Sequence, residues 1–147
     1  MFYNITKNKC WSCLNSILSN PAWTIEGIDH IRKLFDANNL QGSYGAATVN
    51  RIKKLLHAYI PINGKHILVI GSTTPWIEVI LLAQGARHIT TLEYNTYPCN
   101  HPNITLISPV EFSKLVNLNK APVFDAMVTF SSLEHSGLGR YAFLSKC

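Results

Sequence analysis

Residues 65–95 read KHILVIGSTTPWIEVILLAQGARHITTLEYN, and the order of their elements decides the fold. Ile67-Leu68-Val69-Ile70 is an uninterrupted apolar run rich in β-branched residues, the composition of a parallel strand covered on both faces. Gly71 supplies the turn. Thr74 is placed to cap the next helix through its hydroxyl. Pro75 suits the first helical position, where a missing N–H costs nothing, and Glu78 lies near the positive end of the helix dipole. Ile77, Ile80 and Leu81 carry the helix to a stop at Gln84-Gly85. A second strand, His88 to Leu92, ends at Glu93. Strand, glycine turn, helix, strand and acid together predict the opening half-unit of a Rossmann-like α/β domain, whose ligand lies across the carboxyl ends of parallel strands.

Glu93 follows Gly71 at about the spacing that brings an acid to ribose hydroxyls in such folds. The turn then separates two cofactor classes. The pyrophosphate of a dinucleotide needs close backbone approach over several glycines and free N–H groups at the helix start. Here Gly71 alone of a G-x-G-x-x-G pattern is present, and Pro75 removes a donor. S-adenosylmethionine carries no phosphate and loses less from this arrangement. A surface cap is the alternative role for an acid in this place.

The chain has 147 residues, 47% of them hydrophobic, which is one domain's worth with enough apolar residues for a single core. Its net charge of +5 comes from 13 Lys and Arg against 8 Asp and Glu, scattered rather than clustered. A phosphate-tracking surface needs several cations on one face, so nucleic-acid binding is disfavoured. No apolar run reaches the roughly 18 residues of a membrane span, and the start MFYNITKNKCWSC has no charged-then-apolar signal. The expectation is a soluble, cytoplasmic protein without a membrane partner. Cys10 and Cys13 have the C-x-x-C spacing of redox or zinc sites. No strand precedes them and no second pair follows, so Cys10, Cys13, Cys99 and Cys147 read as ordinary thiols with no metal.

Working outward, Ile25, Ile28, Ile31, Leu34 and Phe35 recur at helical spacing behind Thr24 as cap. Val49, Ile52, Leu55, Leu56 and Tyr59 form the stripe of a second helix, stopped by Pro61 and Asn63-Gly64. Beyond Glu93, residues 94–102 read as a loop, Ile104 to Ile107 as a third strand, and Pro109 to Val116 as a helix with Glu111 in its first turn. Phe124 to Phe130 read as a fourth strand. It leads into Ser131-Ser132-Leu133-Glu134-His135-Ser136-Gly137-Leu138-Gly139-Arg140, which leaves the carboxyl end of a central strand and concentrates chemistry. Glu134 and His135 are candidates for acid and base, with the imidazole titrating near neutrality. The absence of a G-x-S-x-G elbow disfavours a serine nucleophile.

The segments GSYGAATVNRIKKLL, KHILVIGSTTPWIEVILLAQGARHITTLEYN, HPNITLISPVEF and FDAMVTFSSLEHSGLGRY together resemble the methyltransferase-like family called domain of unknown function 268. The resemblance runs over roughly residues 42 to 141. It implies part of a class I S-adenosylmethionine-dependent methyltransferase fold, with about four parallel strands in the order 3-2-1-4 flanked by helices. Residues 42–147 would form this domain behind an N-terminal helical extension, 1–41. The resemblance places the cofactor over Gly71, Ser72 and Thr73, Glu93 on the ribose with Tyr94 beside it, and Glu111 beside the adenine. Ser131 to His135 would lie near the methyl group and its acceptor, with Ser131 touching the cofactor and Glu134 and His135 catalytic.

The family pattern continues past Tyr141 where this sequence stops after Cys147. The expectation is therefore a truncated chain that keeps the cofactor half-site with weak or no turnover. The alternative is a non-catalytic binding or regulatory fragment that pairs, or self-associates, through an exposed fourth strand. The methyl acceptor is not legible.

Overall fold

The computed structural model describes residues 21–95 and 97–132. A short 3-10 turn, Pro21–Trp23, leads into α1, Ile25–Asp36. As the sequence predicts, Thr24 Oγ1 accepts the Gly27 N–H at 3.1 Å, a cap that contributes about 1 kcal/mol. Helix α2, Ala46–Tyr59, turns Val49, Ile52 and Leu56 inward. Leu55 and Tyr59 of the expected stripe are instead exposed. They sit about 100° and 60° around the helix from Leu56, on a flank that nothing among the described residues covers.

The sheet is all parallel: β1 is His66–Ile70, β2 His88–Leu92, β3 Ile104–Ile107 and β4 Ala126–Thr129, in the order β3-β2-β1-β4. This is the expected order, with a fourth strand shorter than the apolar run from Phe124 to Phe130. Its start is fixed by Asp125, whose carboxylate accepts the His66 N–H at 2.8 Å and meets Lys65 Nζ at 3.2 Å. The Asp125 N–H returns a bond to the His66 carbonyl at 2.9 Å, so Ala126 pairs with Ile67 and Val128 with Val69.

Helix α3, Trp76–Ala83, buries every residue from Trp76 to Leu81. Its sequence WIEVILLA is apolar on almost all sides, as a helix enclosed between a sheet and another helix must be. One local expectation is corrected here. Thr74 does not cap α3: Pro75 holds the cap position and no side chain bonds there. The Thr74 carbonyl already accepts the Trp76 N–H at 2.8 Å and lies 2.9 Å from the Ser72 hydroxyl, so the turn closes one residue later. Glu78 lies in the first turn of α3, where the sequence places it, and is wholly buried.

Helix α4, Pro109–Asn117, opens with a capping box in which Ser108 and Glu111 satisfy each other's backbone N–H groups. One core unites the layers: Trp23, Ile28, Phe35 and Leu40 belong to the same cluster as Ile67, Val69, Ile80 and Ile89. The described part of the N-terminal extension therefore packs into the core of the sheet domain. Among the described residues no helix is long and apolar enough to cross a membrane.

Candidate cofactor site

Strands β1, β2 and β3 step outward in one direction, and the chain then returns to set β4 on the other side of β1. The carboxyl ends of β1 and β4 therefore part at a topological switch point, where open α/β sheets take their ligands. A cavity of about 480 Å³ opens there, within the usual range for small-molecule sites, about 300–1,000 Å³. Gly71, Ser72 and Thr73 line it from β1, Glu93, Tyr94 and Asn95 from β2, and Phe130, Ser131 and Ser132 from β4. Pro109 at the head of α4, Trp76 of α3, and Ser43 and Tyr44 from the turn before α2 also line it.

Gly71 adopts φ +72°, and a Cβ at this position would overlap the Ser132 side chain. The Ser132 hydroxyl donates to the Gly71 carbonyl at 3.0 Å, so the first turn and the end of β4 are in direct contact. Gly71→Ala is expected to cost about 2 kcal/mol, because the left-handed conformation alone costs an L-residue about 1–2 kcal/mol and Ser132 must also move. Urea denaturation checks this. Combining Gly71→Ala with Ser132→Gly should recover the part due to overlap and leave the conformational part.

The Glu93 side chain turns toward the glycine bend and is buried. Its Oε2 accepts the Ser72 N–H at 2.9 Å and its Oε1 the Asn95 N–H at 3.2 Å. Each oxygen keeps a further lone pair, so the carboxylate can still receive a diol. Behind Ser72 lies the second acid, Glu78, whose Oε1 accepts the Thr91 hydroxyl at 2.8 Å and whose Oε2 is 3.0 Å from Ser72 Oγ. Burial pushes the Glu78 carboxyl up to about 7, and the nearby Glu93 charge adds to the effect.

On the β4 side, the Tyr44 hydroxyl donates to Ser131 Oγ at 2.7 Å, with Ser131 itself at φ +53°. The Tyr44 and Trp76 rings both meet Phe130 edge-on, with centroids 5.2 and 5.8 Å apart. The Trp23 indole N–H donates to the Thr73 carbonyl at 3.2 Å and ties the segment before α1 to the first turn. Among the described residues that line the cavity, Glu93 is the one acidic side chain and there is no Lys, Arg or His.

The structure thus brings Gly71, Ser72, Thr73, Glu93, Tyr94 and Ser131 around one cavity. It does not bring Glu111 there. The Glu111 carboxylate accepts the Ser108 N–H and hydroxyl at 3.1 and 2.7 Å, and these bonds hold its carboxyl below the usual range. Glu134 and His135 lie outside the described residues, as do Cys10, Cys13 and Cys147. Sequence reasoning missed Glu78 as a buried acid, although a single carboxyl inside a helix that is apolar on almost all sides was a usable sign. It also missed Tyr44, Trp76 and Phe130 as lining residues, which become neighbours only through the tertiary fold.

Among families, the model of the Caenorhabditis protein of unknown function, DUF268, matches residues 64–144. That is more than half of the chain, and it contains β1 to β4 and the turns that follow β1, β2 and β4 at the cavity, but not the Ser43-Tyr44 turn. It begins later than the resemblance over residues 42 to 141. No curated protein and no solved structure matches the chain.

Proposed function

The chain belongs to the DUF268 family, and we propose that it is an S-adenosylmethionine-dependent, methyltransferase-like protein whose cofactor lies over Gly71, Ser72 and Thr73. One observation carries this reading. The Glu93 carboxylate stands 2.9 Å from the Ser72 N–H at the rim of the switch-point cavity, where it can accept both hydroxyls of a ribose.

The charge of the lining supports the choice of cofactor. One carboxylate among aromatic rings, with no cation beside it, suits a ligand with a positive sulfonium and no phosphate. A dinucleotide is less well served. The Ser72 N–H is already taken by Glu93, and Pro75 offers no donor at the start of α3, where a pyrophosphate would need free N–H groups.

In this reading Glu93 holds the ribose with Tyr94 beside it, and Ser131 flanks the cofactor from β4. The cofactor would supply an electrophilic methyl group. The chain's own part is to orient the reactants and, through Glu134 or His135, to take a proton from an oxygen or nitrogen acceptor.

Thermal melting with saturating S-adenosylmethionine, S-adenosylhomocysteine or NAD tests the proposal. A ligand at a hundred times its Kd stabilises by about 2.7 kcal/mol, so the two adenosyl sulfur compounds should raise Tm and NAD should not. Glu93→Gln should weaken S-adenosylhomocysteine about tenfold, because the neutral amide presents one acceptor instead of two. Stabilisation by NAD alone overturns the reading.

A second reading, a binding module that pairs through β4, draws on the half-exposed Met127 of this strand, at the edge of the sheet among the described residues, and on Val123, 89% exposed just before it. Size measurement separates the two. Obligate oligomers with no affinity for either sulfur compound would favour the module.

A further inference from the structure

We infer that Glu78 works as a neutral acid and is a positioning residue for the cofactor turn, donating a hydrogen bond to Ser72 Oγ so that Ser72 can hold the turn closed. The argument is a count of hydrogens. Ser72 Oγ lies 2.9 Å from the Thr74 carbonyl and 3.0 Å from Glu78 Oε2, yet a serine hydroxyl has a single hydrogen to give. An ionised Glu78 and the Thr74 carbonyl would compete for it.

With the proton on Glu78 Oε2 the conflict disappears. Glu78 donates to Ser72 Oγ, Ser72 donates to the Thr74 carbonyl, and the Thr91 hydroxyl donates to Glu78 Oε1 at 2.8 Å. Three short contacts are then served by three hydrogens. Among the described residues no buried side-chain polar atom lacks a partner, and this arrangement keeps that true without placing a bare charge in a fully enclosed site.

The surroundings agree. Burial and the like charge of Glu93, from the end of β2, favour the neutral form over the Glu78 backbone N–H and the Thr91 and Ser72 hydroxyls, which favour the ionised one, and the Cys99 thiol faces Glu78 from the loop after β2. From α1, Asp29 and Arg32 line a separate small hollow with Val79, Leu82 and His101. No described cation is placed to hold Glu78 ionised. The relay leaves the Ser72 N–H to Glu93, so a proton held outside the cavity sets the shape of the turn inside it. The link to ligand affinity rests on the adenosyl reading given above, whereas the link to the turn does not.

The test has a ligand-free arm and a ligand arm, both on the full chain. Without ligand, the Glu78 carboxyl resonance and the Ser72 and Thr74 amide resonances should titrate together near pH 7. Glu78→Gln, whose amide can donate to Ser72 and accept from Thr91, should hold the two amides at their acid-limb positions throughout. A Glu78 carboxyl already ionised at about pH 5.5, or an unchanged amide titration in Glu78→Gln, overturns the inference. With S-adenosylhomocysteine, wild-type affinity should fall about fivefold, a coupling at the low end of the usual range, between acid and alkaline limbs while Glu78→Gln stays flat. Turn resonances that titrate in a protein that binds neither sulfur compound would refute the proposed cofactor and leave the Glu78 assignment standing. Flat wild-type affinity beside a titrating turn overturns the positioning role.

Discussion

Replacing Trp23 with alanine is expected to destabilise the protein by about 4 kcal/mol, within the range for truncating a large buried aromatic side chain. Trp23 is 0% exposed and lies in the segment that leads into α1, whose inner face packs on α3. Alanine would leave a void the size of an indole in the core, because close-packed interiors relax only partly around a deletion. It would also remove the bond from the indole N–H to the Thr73 carbonyl, worth about 1 kcal/mol. Trp23→Phe separates the two effects, since it keeps most of the ring volume and loses that bond. The measurement is urea denaturation followed by far-ultraviolet circular dichroism. A loss below about 1 kcal/mol for the alanine variant would mean that the segment before β1 is a dispensable appendage rather than part of the core.

The second large effect is a slope of stability with pH that belongs to Glu78. Its carboxyl is raised from 4.5 to about 7 in the folded protein, so between these values the native state holds a proton that the unfolded chain has released. Stability from this group is therefore complete below about pH 4.5 and is lost as pH rises through about 7. At 1.36 kcal/mol per unit, the whole change is about 3 kcal/mol. His66, His88 and His101, whose imidazoles are all lowered mainly by burial, work with the opposite sign. The clean quantity is thus the difference between wild type and Glu78→Gln, in which the histidines cancel. The glutamine variant should become the more stable of the pair on going from about pH 5 to pH 8. A difference that stays constant over that span would contradict an enclosed neutral acid.

Much of the architecture was legible because its signals are local. The apolar runs at Ile67 and Ile104, the glycine stop at Gly85 and the Thr24 cap each determine backbone conformation within a few residues, and β2 and β3 begin and end where the pattern places them. The errors arose where one group had two possible partners. Thr74 had the chemistry of a cap, but its carbonyl was drawn into the turn by Ser72 and Trp76. Glu78 and Glu111 occupy similar places near the start of a helix, and the sequence read both through the helix dipole. The tertiary fold then separates them. The side chain of Glu111 finds its own cap, whereas Glu78 is enclosed with Thr91 and Ser72 because α3 has no face turned to solvent. The β1 and β2 sides of the cavity could be anticipated from the glycine and the acid. The Tyr44 and Phe130 side could not, since residues far apart in the chain meet there only after the fourth strand is laid beside the first.

Asp125 gives that last placement its accuracy. Because the side chains of a strand alternate, an alignment error of a single residue between β4 and β1 would exchange the inner and outer faces of β4 and carry Ser132 about 3.3 Å along the strand. The carboxylate that grips Lys65 and the His66 amide therefore acts as the zero mark of a ruler whose other end is the ligand loop. A substitution at the far, amino-terminal edge of the sheet should blur the cavity without touching it.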